Sequence, residues 1–157
     1  MIEIRFAGFG GQGILTTGMI CATAGMDLGK NVTWYPSYGS QMRGGTANCS
    51  VKFDDKAIAS PFLRNVDILC AMNTPSVDSF MGELKPGAVM FVDSGVVPAD
   101  YPVRDDIKVV RVPVNEIAAK CGNPRGANLV MLGAMAANTD IFTVEEIKAA
   151  VEKYFKK

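Results

Sequence analysis

The sequence predicts a three-layer α/β/α fold with a mostly parallel sheet, formed by residues 1–157 as a single domain. Three observations predict it. Short apolar runs of strand length alternate with longer apolar stretches of helical length. A glycine-rich turn, Gly8-Phe9-Gly10-Gly11-Gln12-Gly13, separates the first short run from the first long one. No repeat, low-complexity stretch or linker interrupts the 157 residues, a length that fits one domain.

The elements follow in order. Ile2–Ala7 reads as a strand bounded by Gly8, and Ile14–Leu28 as a buried helix ending at Gly29. Val32–Tyr35 is a second short strand, which makes the opening a βαβ unit. After a loop, Ala47, Cys49, Val51 and Phe53 alternate with Thr46, Asn48, Ser50 and Lys52, the period of a strand with two unlike faces. Asp54-Asp55 reads as a tight turn into Lys56–Ala59, so a hairpin insertion is expected here. Val66–Met72 has the composition of a buried strand, and Thr74-Pro75 the signature of a helix start with Thr74 as cap. Strands are expected over Ala88–Val92 and Ile107–Val112, with a short helix over Asn115–Cys121. A further helix should open at Asn123-Pro124 and run to about Ala137. The last begins with the capping box Thr143-Val144-Glu145-Glu146 and carries the apolar stripe Ile147, Val151, Tyr154 and Phe155, read as core.

Composition excludes several function classes. Sixteen basic residues balance sixteen acidic ones, so no field of one sign draws in nucleic acid or an anionic membrane. The uncharged run Phe6–Met26 is long enough to span a bilayer, but the glycines near its start break it into strand, turn and buried helix. The chain has no histidine, which removes the commonest general base and the commonest transition-metal ligand. Its four cysteines, Cys21, Cys49, Cys70 and Cys121, form no CxxC pair for zinc or iron–sulfur. No catalytic residue and no metal ligand is assigned. Unpaired cysteines and a start unlike a secretory signal set the expectation of a cytoplasmic protein.

Two loops remain as binding candidates. Gly8, Gly10, Gly11, Gln12 and Gly13 supply a GxGxxG turn between a strand and a helix, where bare backbone and free helical N–H groups suit an anion. A tight turn without a ligand explains the same residues. An NAD site is disfavoured, because Leu28–Pro36 lacks the acidic residue that would hold a ribose. The second loop contains Tyr38, Arg43, Gly44 and Gly45, with Arg43 its only charge. In a doubly wound sheet both loops belong at the carboxyl edge, where an arginine beside a bare helix N-terminus suits a phosphate or carboxylate. A plain surface arginine is the alternative. Asn73-Thr74, Asp93-Ser94 and Asn123–Asn128 are further candidates at that edge, with Arg125 expected in a first helical turn, opposed to the dipole.

The stretch Phe6-Ala7-Gly8-Phe9-Gly10-Gly11-Gln12-Gly13 resembles the opening of the γ subunit of 2-oxoacid:ferredoxin oxidoreductases. Residues 36–49, PSYGSQMRGGTANC, are similar to that family's second signature. Ser60-Pro61, Asp67-Ile68-Leu69 and Asn128-x-x-x-Leu132-Gly133 fit its layout, so the likeness covers nearly the whole chain. Where that segment often has an acid in the family, this chain has Gln41. The resemblance implies a complex that oxidatively decarboxylates a 2-oxoacid, of the 2-oxoglutarate or branched-chain type, to an acyl-CoA, with ferredoxin as electron acceptor. It implies α, β and ferredoxin-like δ subunits as partners, which hold thiamine diphosphate, magnesium and the iron–sulfur clusters. This chain alone would bind no cofactor and be inactive, but Gly8–Gly13 and Tyr38–Gly45 would help form a shared coenzyme A site. A nucleotide-binding domain and a purely structural subunit stay open as alternatives, as does a homodimer when the chain is expressed alone.

Overall fold

A computed structural model describes residues 1–37 and 46–156. The elements are β1 (Ile2–Phe9), α1 (Ile14–Asp27), β2 (Asn31–Ser37), β3 (Thr46–Asp54), β4 (Val66–Ala71), α2 (Thr74–Phe80), a 3₁₀ turn (Met81–Glu83), β5 (Leu84–Asp93), β6 (Lys108–Val112), α3 (Val114–Lys120), α4 (Ala127–Asn138) and α5 (Val144–Phe155). The strands form one sheet in the order β2-β3-β1-β4-β5-β6. Pairings β1–β4, β4–β5 and β5–β6 are parallel, whereas β3 is antiparallel to both β1 and β2. The mostly parallel α/β fold is therefore as expected.

Side-chain alternation divides two cores. On one face Ile4, Phe6, Cys49, Val51 and Cys70 pack with Ile20 and Cys21 of α1, Met131 and Leu132 of α4, and Ile147 of α5. On the other, Ala7, Leu69, Met90 and Val92 pack with Val77 of α2 and with Leu84 and Val97. α1 lies close on β3, since a Cβ at Gly18 would collide with Cys49 Sγ. Phe53 and Phe142 close the lower end of the first core edge-to-face, 5.4 Å between ring centroids.

Two expectations are corrected. β1 and β2 run in the same direction, but β3 is inserted between them. The antiparallel partners of β3 are β1 and β2, and not Lys56–Ala59, which forms no strand. The reason is that both edges of β3 are occupied, while Lys52 draws the following segment over the sheet. Its ammonium donates to the carbonyls of Ser60 (2.9 Å) and Phe62 (2.6 Å). Glu3, 3.4 Å from Lys52, accepts from the backbone N–H groups of Arg64 (3.0 Å) and Asn65 (2.6 Å). The polar face of β3 is thus covered, and this ion pair is buried. Beside it Arg5 makes a two-pronged contact with Glu83, bonds Asn48 and Ser50, and lies over the Phe80 ring.

Helix starts differ in detail. Asn73, not Thr74, caps α2, because its side-chain oxygen reaches Ser76 N at 2.8 Å. α4 begins four residues later than expected, at Ala127, so Arg125 precedes the cap Gly126 and lies outside the helix. Thr143 caps α5 as the sequence indicates, accepting from Glu146 N at 3.1 Å.

Candidate functional site

The glycine turn is where β1 must hand over to α1 within four residues. Gly13 makes this possible at φ 73°, and Gly11 at φ 91°. Gln12 folds back so that its side-chain oxygen accepts from Phe9 N at 2.6 Å. A Cβ at Gly8 would stand 2.5 Å from that oxygen, so Gly8 leaves room for the clasp. The carbonyl of Gly13 accepts from Thr17 N (2.9 Å), Thr17 Oγ1 (2.7 Å) and Asn128 Nδ2 (3.4 Å). A Cβ at Gly13 would come within 2.6 Å of that Asn128 nitrogen, so the absence of a side chain lets α4 dock on the turn.

The docking brings two helix N-termini together. Neither α1 nor α4 has a side-chain cap or an acidic residue in its first turn. Both open into one cleft of about 590 Å³ at the carboxyl edge of the sheet. Its walls are Gly11–Gly13 and Thr16, then Met72 and Asp93 at the ends of β4 and β5, Asn115, residues 123–129, and Phe155. Uncapped N–H groups at two converging helix ends favour an anion. Arg125, exposed on the wall, adds a cation. Asp93 is 2% exposed, accepts from Gly95 N at 2.9 Å, and has its carboxyl held above the ordinary value by burial.

Of the residues expected to bind, Gly11, Gln12 and Gly13 line this cleft. Gly10 lines a shallower hollow of about 320 Å³ on the other side of the turn, with Ala47. Gly8 is buried behind it. Tyr38, Arg43, Gly44 and Gly45 lie outside the described residues. The strand ends that flank them do reach this edge: Thr46 is paired with Phe9, and Ser37 with Asn48. Among the carboxyl-edge candidates, Asp93 and Asn123–Asn128 join the cleft, whereas Asn73 is used as a cap.

Phe155 was expected in the core and instead lines the cleft at 60% exposure. Eight residues beyond Ile147, it stands about 80° round the helix and so on the flank of the stripe. The chemistry-bearing thiols do not take part. Burial pushes the Cys49 thiol up to about 12 and raises Cys21 and Cys70 as well. Among the described residues no group of three His, Cys, Asp or Glu side chains is placed to hold a metal, and no helix is long and apolar enough to cross a membrane. The arrangement can bind an anionic ligand; among the described residues its lining holds no histidine, cysteine or lysine.

Comparison with known proteins identifies the family. The model of the pyruvate ferredoxin/flavodoxin oxidoreductase family matches residues 3–157. Over 136 residues the chain is 38% identical to the ketoisovalerate oxidoreductase subunit VorA of Methanothermobacter marburgensis. That match covers 87% of this chain and 28% of VorA, so the chain spans little more than a quarter of that relative. The crystal structure of the keto/oxoacid ferredoxin oxidoreductase γ subunit from Geobacter sulfurreducens superposes with a TM-score of 0.82 at 32% identity, over 98% of this chain and 86% of that one. The 2-oxoglutarate:ferredoxin oxidoreductase of Magnetococcus marinus, solved with 2-oxoglutarate, coenzyme A and succinyl-CoA, shares the fold at a TM-score of 0.86 and 24% identity, over 99% of this chain and 27% of that one. On the family model that matches residues 3–157 and the likeness to the Geobacter γ subunit, the chain belongs to the pyruvate ferredoxin/flavodoxin oxidoreductase family, in its γ-type form.

Proposed function

We propose that this chain is the γ subunit of a 2-oxoacid:ferredoxin oxidoreductase complex and that its cleft receives the phosphate-bearing part of coenzyme A. In that complex a 2-oxoacid, 2-oxoglutarate or a branched-chain one, loses carbon dioxide, its acyl group passes to the coenzyme A thiol, and two electrons pass to ferredoxin. The carbanion and redox chemistry belongs to thiamine diphosphate, magnesium and iron–sulfur clusters on α, β and ferredoxin-like δ partners. Lack of histidine and burial of three of the four thiols support that assignment, since no group here is equipped for either role. Those thiols also suit a reducing cytoplasm.

The observation that carries the reading is the convergence of the α1 and α4 N-termini, uncapped and free of acids, on one cleft beside Gly11–Gly13. Free N–H groups and the two dipoles supply the attraction, Arg125 the formal charge, and Asn128 holds the two helix ends in register. Tyr38, Arg43, Gly44 and Gly45 are proposed to complete the site, because their strands end at the same edge.

The test has two arms. Affinity capture from the native source should bring a thiamine-binding chain and an iron–sulfur chain, and the captured complex should reduce a viologen dye with 2-oxoacid and coenzyme A. The purified chain alone should not. In the reassembled complex, Thr16→Glu places a carboxylate in the first turn of α1 on the cleft wall, and should raise the KM for coenzyme A at least tenfold with little change in that for the 2-oxoacid. An unaltered KM for coenzyme A would remove this ligand from the cleft and leave a subunit that only supports assembly.

A further inference from the structure

The cleft is chemically divided. One side, made by Gly11–Gly13, Thr16 and the start of α4, offers N–H groups. The other side is the end of β5, where Asp93 offers only acceptors. Two strand spacings, about 10 Å, separate the ends of β1 and β5 in the order β1-β4-β5. One oxygen of Asp93 is engaged by Gly95 N, and among the described residues the other carries no hydrogen-bond partner. Asp93 is 2% exposed as a residue and lines the cleft, so its free oxygen opens onto the ligand space, where a ligand N–H can reach it. It also repels phosphate, so the group opposite it must be a neutral donor some distance from the ligand's anionic part.

Resting on the coenzyme A reading above, we infer that Asp93 is a specificity-determining residue that accepts the exocyclic amine of the adenine. The choice of end follows from the chemistry. The thiol has to reach a reaction centre that this chain does not contain, so the pantetheine arm leaves the cleft and the nucleotide stays inside. Within the nucleotide, the free ribose hydroxyl lies beside a phosphate, whereas the adenine amine does not. Phe155, exposed in the cleft lining, presents an aromatic ring of the kind on which a base stacks. Burial of the carboxyl, which raises its proton affinity, is relieved by a ligand N–H that favours the charged form.

The experiment compares wild type with Asp93→Asn in the assembled complex. The substitution keeps the shape and the acceptor for Gly95 N but turns the free oxygen into an amide donor. Competitive inhibition against coenzyme A is measured for adenosine 3′,5′-bisphosphate and for 4′-phosphopantetheine. The inhibition constant of the nucleotide half should rise about tenfold, that of the pantetheine half should stay within twofold, and the KM for coenzyme A should follow the nucleotide half. An unchanged constant for the nucleotide half, or an equal rise for both halves, overturns the assignment. Thr16→Glu separates the two levels. If it raises the KM for coenzyme A while Asp93→Asn leaves the nucleotide constant alone, the cleft stands and only the role of Asp93 falls. If Thr16→Glu has no effect, the coenzyme A reading itself falls.

Discussion

The side-chain amide of Asn128 donates to the carbonyl oxygen of Gly13 across 3.4 Å and three-quarters of the chain, and so fixes the start of α4 against the start of α1. A contact this close exists only because position 13 has no side chain. Gly13→Ala should therefore destabilise the protein by more than the ~1–2 kcal/mol expected for a left-handed non-glycine residue, since the new methyl also meets Asn128 Nδ2 at 2.6 Å. Gly11→Ala makes the control. It too sits at positive φ, 91°, where an added side chain is strained, but with no atom within 4 Å of the added carbon. Urea unfolding of the two variants should rank Gly13→Ala as the less stable, and the KM for coenzyme A in the complex should rise more for it. Equal losses in both would remove Asn128 from the account.

The Glu3–Lys52 pair is buried at 3.4 Å and holds four backbone groups of residues 60–65 between its two side chains. Removing one charge leaves the other uncompensated. Lys52→Met and Glu3→Gln should each cost about 3–5 kcal/mol in chemical denaturation. The double variant Glu3→Gln/Lys52→Met should lose less than the sum, because the pair is then absent and not broken. Additive losses would mean that the two charges act independently.

Thiol chemistry discriminates the four cysteines. Cys121 is exposed, whereas Cys21, Cys49 and Cys70 are buried, with the Cys49 thiol pushed up to about 12. Brief alkylation of the folded chain at pH 7.5, read by peptide mass spectrometry, should mark Cys121 alone, and all four after denaturation. Early labelling at Cys49, on the strand beside the glycine turn, would contradict the packing of β3 under α1.

Asp93 gives a pH dependence with a definite sign. Burial raises its carboxyl in the folded state above the ordinary value near 3.8. A raised acid contributes most to stability when it is protonated, below its unfolded value, and loses that contribution as pH rises through the folded one. Compared with Asp93→Asn, which keeps the Gly95 contact, wild type should be relatively more stable near pH 3.5 than near pH 7. Thermal melts of both proteins across that range measure the difference. A gap that widens in the opposite direction would mean that a neighbouring donor, not burial, dominates at the carboxyl.

Some of this architecture was legible in the sequence because it is written in short spacings. The alternation of Ala47, Cys49, Val51 and Phe53 marks the face of β3 that packs under α1. The glycines at 11 and 13 mark a turn that requires positive φ, and Thr143 with Glu146 marks a helix start. Other features left no such trace. Phe155 carries the apolar character of a core residue, yet its angle on α5 puts it on the cleft wall.

By itself, then, the sequence determined the class of fold and the glycine turn, because two- to four-residue periodicities report which side of a strand or helix is apolar. Tertiary structure alone decided that β3 enters between β1 and β2, that Lys52 folds residues 60–65 over the sheet, and that α4 meets the glycine turn to make a cleft. Those relations join residues dozens of positions apart. They depend on which strand edges and polar groups are still unpaired once the sheet has assembled, a competition that no local spacing records.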